Sequence, residues 1–281
     1  MPAHLKCGPT FGLVAAVAFI ATTLSAANPE LQEAKSQPPP GRLPTEIRLY
    51  EWRVLRAAPG KLDALHSRLR DHQIPLLEQH GVFTQGVFVP AGENPEQRVY
   101  LLVAAEGLGA MQDGWAAFRK DPKWLEAVAK SEEANASKLV LQDDNQRLVK
   151  TYWSPQFTPT KAAEPRVFEL RTYMCPDHEK QMALQQRFRE HTMKLFEKHG
   201  MQNIVYWNLD SDEPEFRQKL IYLLAHKSQD AAKESFTAFR KDPDWLAAKE
   251  ASEEKAGGSL TVKENGVVSE FLEATEYSPL K

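Results

Sequence analysis

An octapeptide that occurs twice is the sequence feature that most constrains the fold. FRKDPKWL occupies residues 118–125 and FRKDPDWL occupies residues 239–246, so seven of eight positions are identical after 121 residues. A chain of 281 residues is long enough for two ordinary domains or for one large one. How far the match extends therefore decides whether the chain builds two cores or one.

The match extends along most of the chain. The separation between equivalent segments changes only from 118 to 124 residues, so insertions are small and fall between structural elements. The paired segments are YEWRVL (50–55) with FELRTY (168–173), residues 61–81 with 180–200, VYLLVA (99–104) with IYLLAH (221–226), and YWSP (152–155) with EYSP (276–279). The sequence predicts two tandem copies of one unit.

We predict five segments along the chain. They are a signal peptide (1–27), a disordered linker (28–44), repeat 1 (45–155), a second linker (156–164) and repeat 2 (165–281). The first linker, NPELQEAKSQPPPGRLP, is polar and rich in proline and has no apolar periodicity.

The N-terminus resembles a secretory signal. Lys6 precedes the apolar run FGLVAAVAFIATTL (11–24), and small residues follow it up to a predicted cleavage site near Ala27. A membrane anchor is the alternative, but the run is shorter than the roughly 20 residues needed to span a bilayer. We expect an exported protein, periplasmic or secreted, with no membrane span in the mature chain. Cleavage would leave Cys175 without a disulfide partner.

Each copy has the same predicted order of elements: strand, helix, two strands, a helical region and a last strand. Alternating aromatic and β-branched residues predict the first strand. The first helix ends at a His-Gly pair, and in copy two its apolar stripe is predicted at Met182, Phe188, Leu195 and Phe196. The later strands are predicted at 82–90, 98–105 and near 146–153, and at 201–209, 218–226 and near 267–275.

The repeated octapeptide predicts a corner between two helices. Asp121 is placed to cap a helix and Pro122 to occupy its first position, where a missing N–H costs nothing. Phe118 and Trp124 flank the corner and can pack it onto the sheet, and copy two repeats all four residues. The octapeptide is thus a folding device rather than a catalytic motif.

The order βαββαβ predicts an α+β fold of the ferredoxin-like type, with helices on one face of an antiparallel sheet. Such a unit leaves the other face of its sheet bare, and a bare, half-apolar face needs a partner. The second copy is the obvious partner. We therefore predict that two tandem ferredoxin-like repeats pair into an intrachain α+β barrel.

Taken together, these segments resemble the NIPSNAP family of the dimeric α+β barrel superfamily. The resemblance rests on Tyr50-Glu51-x-Arg53, Phe168-Glu169-Leu170-Arg171-Thr172-Tyr173, His80-Gly81, His199-Gly200, the two DPxW corners, Ser154-Pro155 and Ser278-Pro279. Copy one departs from the pattern, with Trp52, Val54 and Leu55 where Leu, Thr and Tyr are favoured.

The resemblance implies the fold, but it supplies no agreed catalytic residues to carry over. Animal members of the family are associated with mitochondria and with protein partners. Barrel relatives include small monooxygenases and haem-handling enzymes, which is an analogy at the level of the fold.

Charged residues on the first strand of each copy are the candidate ligand-binding residues. If the helices cover the apolar face, then Glu51, Arg53, Glu169, Arg171 and Tyr173 point into the barrel. Buried charges must be paired. Two hypotheses follow: the Glu–Arg pairs fix the register of the two halves, or the arginines hold an acidic group of a ligand while the tyrosine donates a hydrogen bond.

The histidines of the first helices are the other candidates. They come in pairs eight residues apart: His72 and His80, and His191 and His199. That spacing places the members of a pair about 80° apart around the helix, too far for one metal ion without another ligand. His80 and His199 lie in the last turn, where a cation interacts favourably with the helix dipole. A role as pocket base or ligand is the alternative.

Several function classes lack their signatures. The sequence has no HExxH, paired CxxC, Walker A, GxGxxG or GxSxG motif, so we predict neither a metal site nor a cofactor. The net charge is −3 with both signs interspersed, which argues against nucleic-acid binding.

The predicted function is accordingly broad. We expect a NIPSNAP-type protein that binds a small molecule or a protein partner through its barrel, and a homo-oligomer is compatible with the sequence. The alternative is a cofactor-independent enzyme, monooxygenase- or isomerase-like, that uses the barrel pocket.

Overall fold

Eight strands and eight helices make up the computed structural model, which describes residues 49–213 and 215–281. The predicted signal peptide with its cleavage site near Ala27 and the linker at 28–44 lie outside the described residues. Among the helices that the structure describes, none has the length and apolar composition needed to cross a membrane.

Copy one contains four strands, four helices and a π-helical turn that makes α1 and α2 continuous. In chain order they are β1 (Leu49–Ala57), α1 (Leu62–Arg68), the π-helical turn (Leu69–Gln73), α2 (Ile74–Gln79), β2 (Phe83–Pro90), β3 (Arg98–Ala105), α3 (Leu108–Lys120), α4 (Pro122–Asn135) and β4 (Val140–Lys150).

Copy two repeats every element in the same order. These are β5 (Val167–Met174), α5 (His178–Arg187), a second π-helical turn (Phe188–Thr192), α6 (Met193–Lys198), β6 (Gln202–Leu209), β7 (Lys219–His226), α7 (Gln229–Lys241), α8 (Pro243–Lys255) and β8 (Val267–Ala274). The predicted strand pairs in the middle of each copy are therefore confirmed to within a residue.

The last strand of copy one begins earlier than predicted. β4 starts at Val140 rather than near residue 146, and its residues 141–145 are exposed and polar apart from Leu141. An exposed strand has no apolar alternation by which the sequence could reveal it.

The eight strands form one closed barrel in the order β1-β3-β2-β8-β5-β7-β6-β4. The copies join at two antiparallel seams, β2 with β8 and β4 with β6. Closing the barrel pairs the edge strands of both copies, which would otherwise carry unpaired backbone groups. The predicted intrachain α+β barrel is confirmed.

Aromatic side chains from both copies fill the barrel interior. The ring of Phe88 stacks on Trp52 at 5.9 Å between centroids and meets Phe168 of copy two edge-on at 5.2 Å. Trp207 of copy two lies 5.8 Å from Tyr50 and is fully buried. The main core is therefore shared between the copies.

Each copy also has a smaller core between the outer face of its sheet and its helices. In copy one, Leu65, Leu69 and Leu77 pack with Leu101 and Val103 of β3, among others. In copy two the corresponding cluster is more aromatic and includes Leu184, Phe188, Phe196, Tyr206 and Tyr222. The helices pack on the sheet of their own copy, and the segment after the last strand of the other copy also reaches them, through Tyr277 at His66 and Trp153 at Gln185. The barrel interior is built by both copies.

The helix corners form as predicted. Asp121 Oδ1 accepts a hydrogen bond from the backbone N–H of Lys123 at 2.8 Å, and the ring of Trp124 lies 4.5 Å from that of Phe118. The corner of copy two has the same geometry. The glycine after the first helix has a positive φ, 77° at Gly81, as a left-handed C′ residue requires.

One part of the predicted repeat alignment is wrong by a residue. Arg53 lies opposite Leu101, whereas Arg171 lies opposite Tyr222, so Tyr222 is equivalent to Leu101 and not to Tyr100. A slip of one residue in a strand moves every side chain to the other face. Tyr100 therefore points into the barrel, and Tyr222 points towards the helices.

The predicted apolar stripe of copy two is wrong at Met182. That side chain is 53% exposed, whereas Leu184 is fully buried. The two residues lie on opposite sides of α5 because successive helical residues turn by about 100°.

This difference predicts the effect of two substitutions on one helix. We expect Leu184→Ala to lower the free energy of unfolding by about 2–5 kcal/mol, because it leaves a cavity under the sheet. Met182→Ala is the matched control and should change it by less than about 0.5 kcal/mol. Urea unfolding followed by circular dichroism measures both, and equal effects would contradict the assigned helix face.

Candidate functional site

The Glu–Arg pairs lie outside the barrel, which corrects their predicted orientation. Tyr50 and Trp52 occupy the barrel interior, so Glu51 and Arg53 on the alternate positions of β1 point towards the helices. The guanidinium of Arg53 lies 4.3 Å from the ring centroid of Trp115 in α3. The prediction failed because both faces of the sheet carry apolar residues, and the aromatic face forms the larger core.

In copy two, Arg171 is held by partners on the same outer face. Its Nη1 donates to Glu169 Oε1 at 2.5 Å, and its Nε donates to the Tyr222 hydroxyl at 3.0 Å. The other oxygen of Glu169 lies 3.0 Å from Nε2 of His226. Burial alone would raise the pKa of Glu169, but the hydrogen bond to His226 and the charge of Arg171 outweigh it and lower the pKa.

Tyr173 lies on the outer face as well, which corrects its predicted place inside the barrel. Its ring packs edge-on against Phe188 at 5.5 Å between centroids. The alternate residues of the strand, Leu170 and Thr172, are those that reach the barrel cavity.

In copy one, a different residue completes the cluster around Arg53. The arginine pairs with Glu51 and donates two hydrogen bonds to Asp143 of β4, from Nε to Oδ1 at 3.1 Å and from Nη2 to Oδ2 at 2.6 Å. Burial raises the pKa of Glu51 despite the neighbouring arginine. Sequence reasoning missed Asp143 because the predicted strand began after it.

The histidines at the ends of the first helices also have carboxylate partners. Nε2 of His80 lies 2.8 Å from Asp121 Oδ2, and Nε2 of His199 lies 2.7 Å from Asp242 Oδ2. Both aspartates are the N-caps of the corner helices that follow. The hydrogen bond to His80 lowers the pKa of Asp121, and the hydrogen bonds to Lys198 and then His199 lower the pKa of Asp242. Each histidine thus joins the end of one helix to the start of another.

The seven predicted site residues are therefore not brought together. They lie in two Glu–Arg clusters beneath the helices and in two His–Asp corners, one of each in every copy. The charges in the Glu–Arg clusters are paired by side chains from strands of the same sheet. The arginines contact the helices only through the rings of Trp115 and Phe236. Their role in binding a ligand stays a prediction.

A cavity of about 310 Å³ opens instead at one mouth of the barrel, among side chains that point inward. Both copies contribute to its lining, which consists of Trp52, Val54, Arg56, Arg98, Tyr100, Asp144, Leu170, Thr172, Val268 and Glu270. Four of these side chains give it an apolar wall, and the others give it a polar rim.

A hydrogen-bonded network crosses this cavity from one copy to the other. The hydroxyl of Tyr100 in β3 donates to Glu270 Oε2 in β8 at 2.5 Å. Arg98 Nη2 lies 2.7 Å from Glu270 Oε1, and Arg98 also contacts the Tyr100 hydroxyl. Burial and the Glu270 carboxylate raise the pKa of Tyr100, so the phenol keeps its proton at neutral pH and acts as a donor.

One buried polar atom in the apolar wall lacks a hydrogen-bond partner. Nε1 of Trp52 is buried and has no hydrogen-bond partner among the described residues. Sequence reasoning missed this cavity because the alignment treated Tyr100 and Tyr222 as equivalents, and because Trp52 looked like a departure from the family pattern.

The described residues show neither a metal centre nor a reactive cysteine. Within residues 49–213 and 215–281, no group of three or more His, Cys, Asp or Glu side chains is placed to hold a metal ion. Cys175 is buried beside the helices of copy two, and burial raises its pKa to about 12. Its thiol is therefore protonated at neutral pH.

Comparison with known proteins gives a family and a fold. A family model described as NIPSNAP matches residues 50–155 and 168–279. A candidate monooxygenase from Fusobacterium nucleatum is similar in structure, with 11% identity, a TM-score of 0.51, and coverage of 82% of this chain and 94% of that one.

Solved NIPSNAP proteins are also similar. A family member of unknown function from Agrobacterium tumefaciens is 20% identical, with a TM-score of 0.33, over 40% of this chain and 96% of that one. A NIPSNAP domain protein from Burkholderia xenovorans is 16% identical, with a TM-score of 0.32, over 38% and 99%. No curated protein matches the sequence.

The charge cluster of copy two predicts a non-additive pair of substitutions. Arg171→Leu should lower the free energy of unfolding by about 3–5 kcal/mol, because it leaves the Glu169 carboxylate buried without its cation. Adding Glu169→Gln should restore part of that loss, since the amide has no charge to compensate. Chemical unfolding of Arg171→Leu, of Glu169→Gln and of the double variant measures this coupling.

The surface pair Arg70–Asp71 provides the control for this experiment. Its arginine is exposed, so Arg70→Leu should have no measurable effect on stability. A double variant as unstable as the sum of its single substitutions would contradict the proposed pairing.

Proposed function

The chain belongs to the NIPSNAP family, and from the geometry of its barrel we propose that it binds a small molecule in the cavity at the barrel mouth. The observation that carries this proposal is the Arg98–Tyr100–Glu270 network, which crosses between the copies beside an apolar wall. A cavity with an apolar wall and a few fixed polar groups is the usual form of a ligand site.

The volume of the cavity sets the size of the ligand. About 310 Å³ lies at the lower end of the range for ligand pockets, which runs from roughly 300 to 1,000 Å³. It suits a compact molecule and is too small for a polypeptide segment. Trp52 and Leu170, which come from different copies, supply the surfaces that an apolar body would contact.

The charges at the rim set its polar chemistry. Arg56 is 40% exposed on its side chain, and its guanidinium lies a long 3.6 Å from Glu96, so it is free to donate to an additional oxygen partner. Glu270 is already bound by Tyr100 and Arg98. We infer that the ligand is a small molecule with an apolar body and an oxygen-bearing polar group directed to Arg56.

The same network supports the second candidate, a cofactor-independent enzyme of monooxygenase or isomerase type. The 2.5 Å hydrogen bond between Tyr100 and Glu270 joins a protonated phenol to a carboxylate in the cavity. A carboxylate can remove a proton from a bound molecule, and a neutral phenol can return one. Recovery of a chemically altered ligand would favour this candidate over simple binding.

We also propose that the protein is exported to the periplasm or the medium. Lys6, the apolar run at 11–24 and the small residues up to Ala27 support this proposal. The mass of the chain purified from its native cells should correspond to a start near residue 28. A full-length chain retained in the cytoplasm would disprove export.

Two neighbouring residues of β8 provide a matched test of the binding site. Val268 lines the cavity and is opposite Thr172, whereas Val267 is opposite Tyr173 on the outer face, and both are about half exposed. We expect Val268→Trp to fill the cavity and to weaken binding at least tenfold. Val267→Trp should leave binding unchanged.

Native mass spectrometry of the purified protein measures this as the fraction of chains that carry a small-molecule adduct, and ligand-observed NMR with a fragment library extends it to molecules lost during purification. Equal binding of the small molecule by Val268→Trp and Val267→Trp would disprove the proposed site. Melting temperatures equal to that of the unsubstituted protein would show that the barrel survives both substitutions.

A further inference from the structure

Two charged side chains at the barrel mouth take no part in its hydrogen-bonded network. Arg56 of β1 and Asp144 of β4 both line the cavity. The network itself consists of Arg98, Tyr100 and Glu270. The side chain of Arg56 is 40% exposed, and Asp144 is exposed as well. A molecule in the cavity can therefore reach both charges.

The two side chains have opposite charges but do not pair with each other. Arg56 lies opposite Gln142 in the β1–β4 pair, and Asp144 is two residues further along β4. Such diagonal neighbours are about 7–8 Å apart, which long side chains can span. Among the described residues, however, the ion pair of Arg56 is with Glu96 and not with Asp144. A gap thus remains between the two charges.

Each of the two side chains also has hydrogen-bonding capacity to spare. The contact of Arg56 with Glu96 is 3.6 Å long, beyond the range of a good hydrogen bond. Asp144 accepts one hydrogen bond, from Gln142 Nε2 to Oδ2 at 2.6 Å, and its Oδ1 has no partner in the part of the chain that the structure describes. Charged donors and a charged acceptor are therefore available side by side, and hydrogen bonds to such groups are strong.

The equivalent positions of copy two carry no charge. Three residues after the paired arginine of its strand, β1 has Arg56 and β5 has Met174. The strands β4 and β8 pair with β1 and β5 in the same register, which makes Val268 the equivalent of Asp144. Copy two thus has two apolar side chains where copy one has two opposite charges. A ligand held by those charges can direct an apolar part towards copy two.

The charges around the cavity disfavour a ligand of a single sign. In the lining, Arg56 and Arg98 are balanced by Asp144 and Glu270. Glu96, outside the lining, contacts both arginines, at 3.6 and 3.1 Å. An anion at Arg56 alone would be repelled by Glu96 and Asp144, and a cation at Asp144 alone would be repelled by Arg56. A ligand with one charge of each sign would leave the balance unchanged.

Given the proposed binding site at the barrel mouth, on which this assignment depends, we propose that its ligand is an α-amino acid with an apolar side chain. The carboxylate accepts hydrogen bonds from the guanidinium of Arg56, and the ammonium group donates to Asp144 Oδ1. The apolar side chain contacts Trp52 of copy one and Leu170 and Val268 of copy two.

The dimensions of the site favour this class of zwitterion. A single carbon joins the two charged groups of an α-amino acid, which suits two charged side chains on adjacent strands. The cavity of about 310 Å³ takes a compact molecule and has no room for a peptide.

Three matched ligands test the assignment by titration calorimetry on the purified protein. L-leucine carries both charges, 4-methylpentanoate lacks the ammonium group, and 3-methylbutylamine lacks the carboxylate. We expect one leucine to bind per chain, at least tenfold more tightly than either analogue, because only leucine satisfies both Arg56 and Asp144. Equal affinities for leucine and 4-methylpentanoate would overturn the assignment, as would a failure of leucine, valine and methionine alike to bind.

Two substitutions separate the contributions of the two charges. Asp144→Asn should weaken leucine binding at least tenfold without weakening that of 4-methylpentanoate. Arg56→Gln should weaken the binding of leucine and 4-methylpentanoate without weakening that of 3-methylbutylamine. The control, Glu273→Gln, removes a negative charge from an exposed position of β8 outside the lining and should leave all three affinities unchanged. Unchanged leucine affinity in Asp144→Asn would contradict the proposal.

The substitution Val268→Trp distinguishes failure of this assignment from failure of the binding site. It should abolish leucine binding, because it fills the space that the apolar side chain occupies. If 4-methylpentanoate binding is lost in Val268→Trp but leucine affinity is unchanged in Asp144→Asn, the barrel mouth is a ligand site and the amino-acid assignment is wrong. Leucine binding that survives Val268→Trp would disprove the assignment, because the amino acid would then bind outside the barrel mouth.

Discussion

Each copy is a four-stranded sheet whose edge strands find their hydrogen-bonding partners in the other copy. The seams β2–β8 and β4–β6 supply those partners, and closure of the barrel then encloses the aromatic faces of both sheets. Trp52 and Phe88 of copy one meet Phe168 and Trp207 of copy two inside it. The largest apolar surface is therefore buried only when both copies are present, which accounts for the need for two copies.

The division into a shared interior and two separate helix layers determines where polar groups can lie. In the interior, Tyr100 and Glu270 come from different copies and meet at the barrel mouth, so a ligand there would contact both halves. Under the helices, each buried arginine must find its carboxylates within its own copy, and Arg53 uses Asp143 of β4 in addition to the glutamate of its own strand. The polar groups at the barrel mouth therefore link the two copies, whereas each charge cluster beneath the helices links strands of a single copy.

The sequence was sufficient to predict the repeat, the helix corners and the closed barrel, because these depend on patterns that occur in both copies. It was insufficient for the direction of side chains on the strands. A strand whose two faces are both partly apolar gives no signal for which face turns inward, and Glu51 with Arg53 was assigned to the wrong one. The offset between Tyr100 and Tyr222 had the same origin, since matching YLL to YLL conserves letters but reverses faces. Asp143 was missed because an exposed strand lacks alternation.

Duplication also explains how the two surfaces of the molecule can differ while its core stays the same. Substitution in the barrel interior affects both copies at once, since the rings there pack across the two halves. The corner helices α4 and α8 face solvent on one side, and a change such as Glu126 in one copy to Ala247 in the other leaves the shared core untouched. The arginine beneath each corner helix contacts Ser131 in one copy and Ser252 in the other, and both arginines are equally buried, at 5% exposed. The outer surfaces of the corner helices can therefore diverge between the copies while the barrel interior, which both copies build, stays the same.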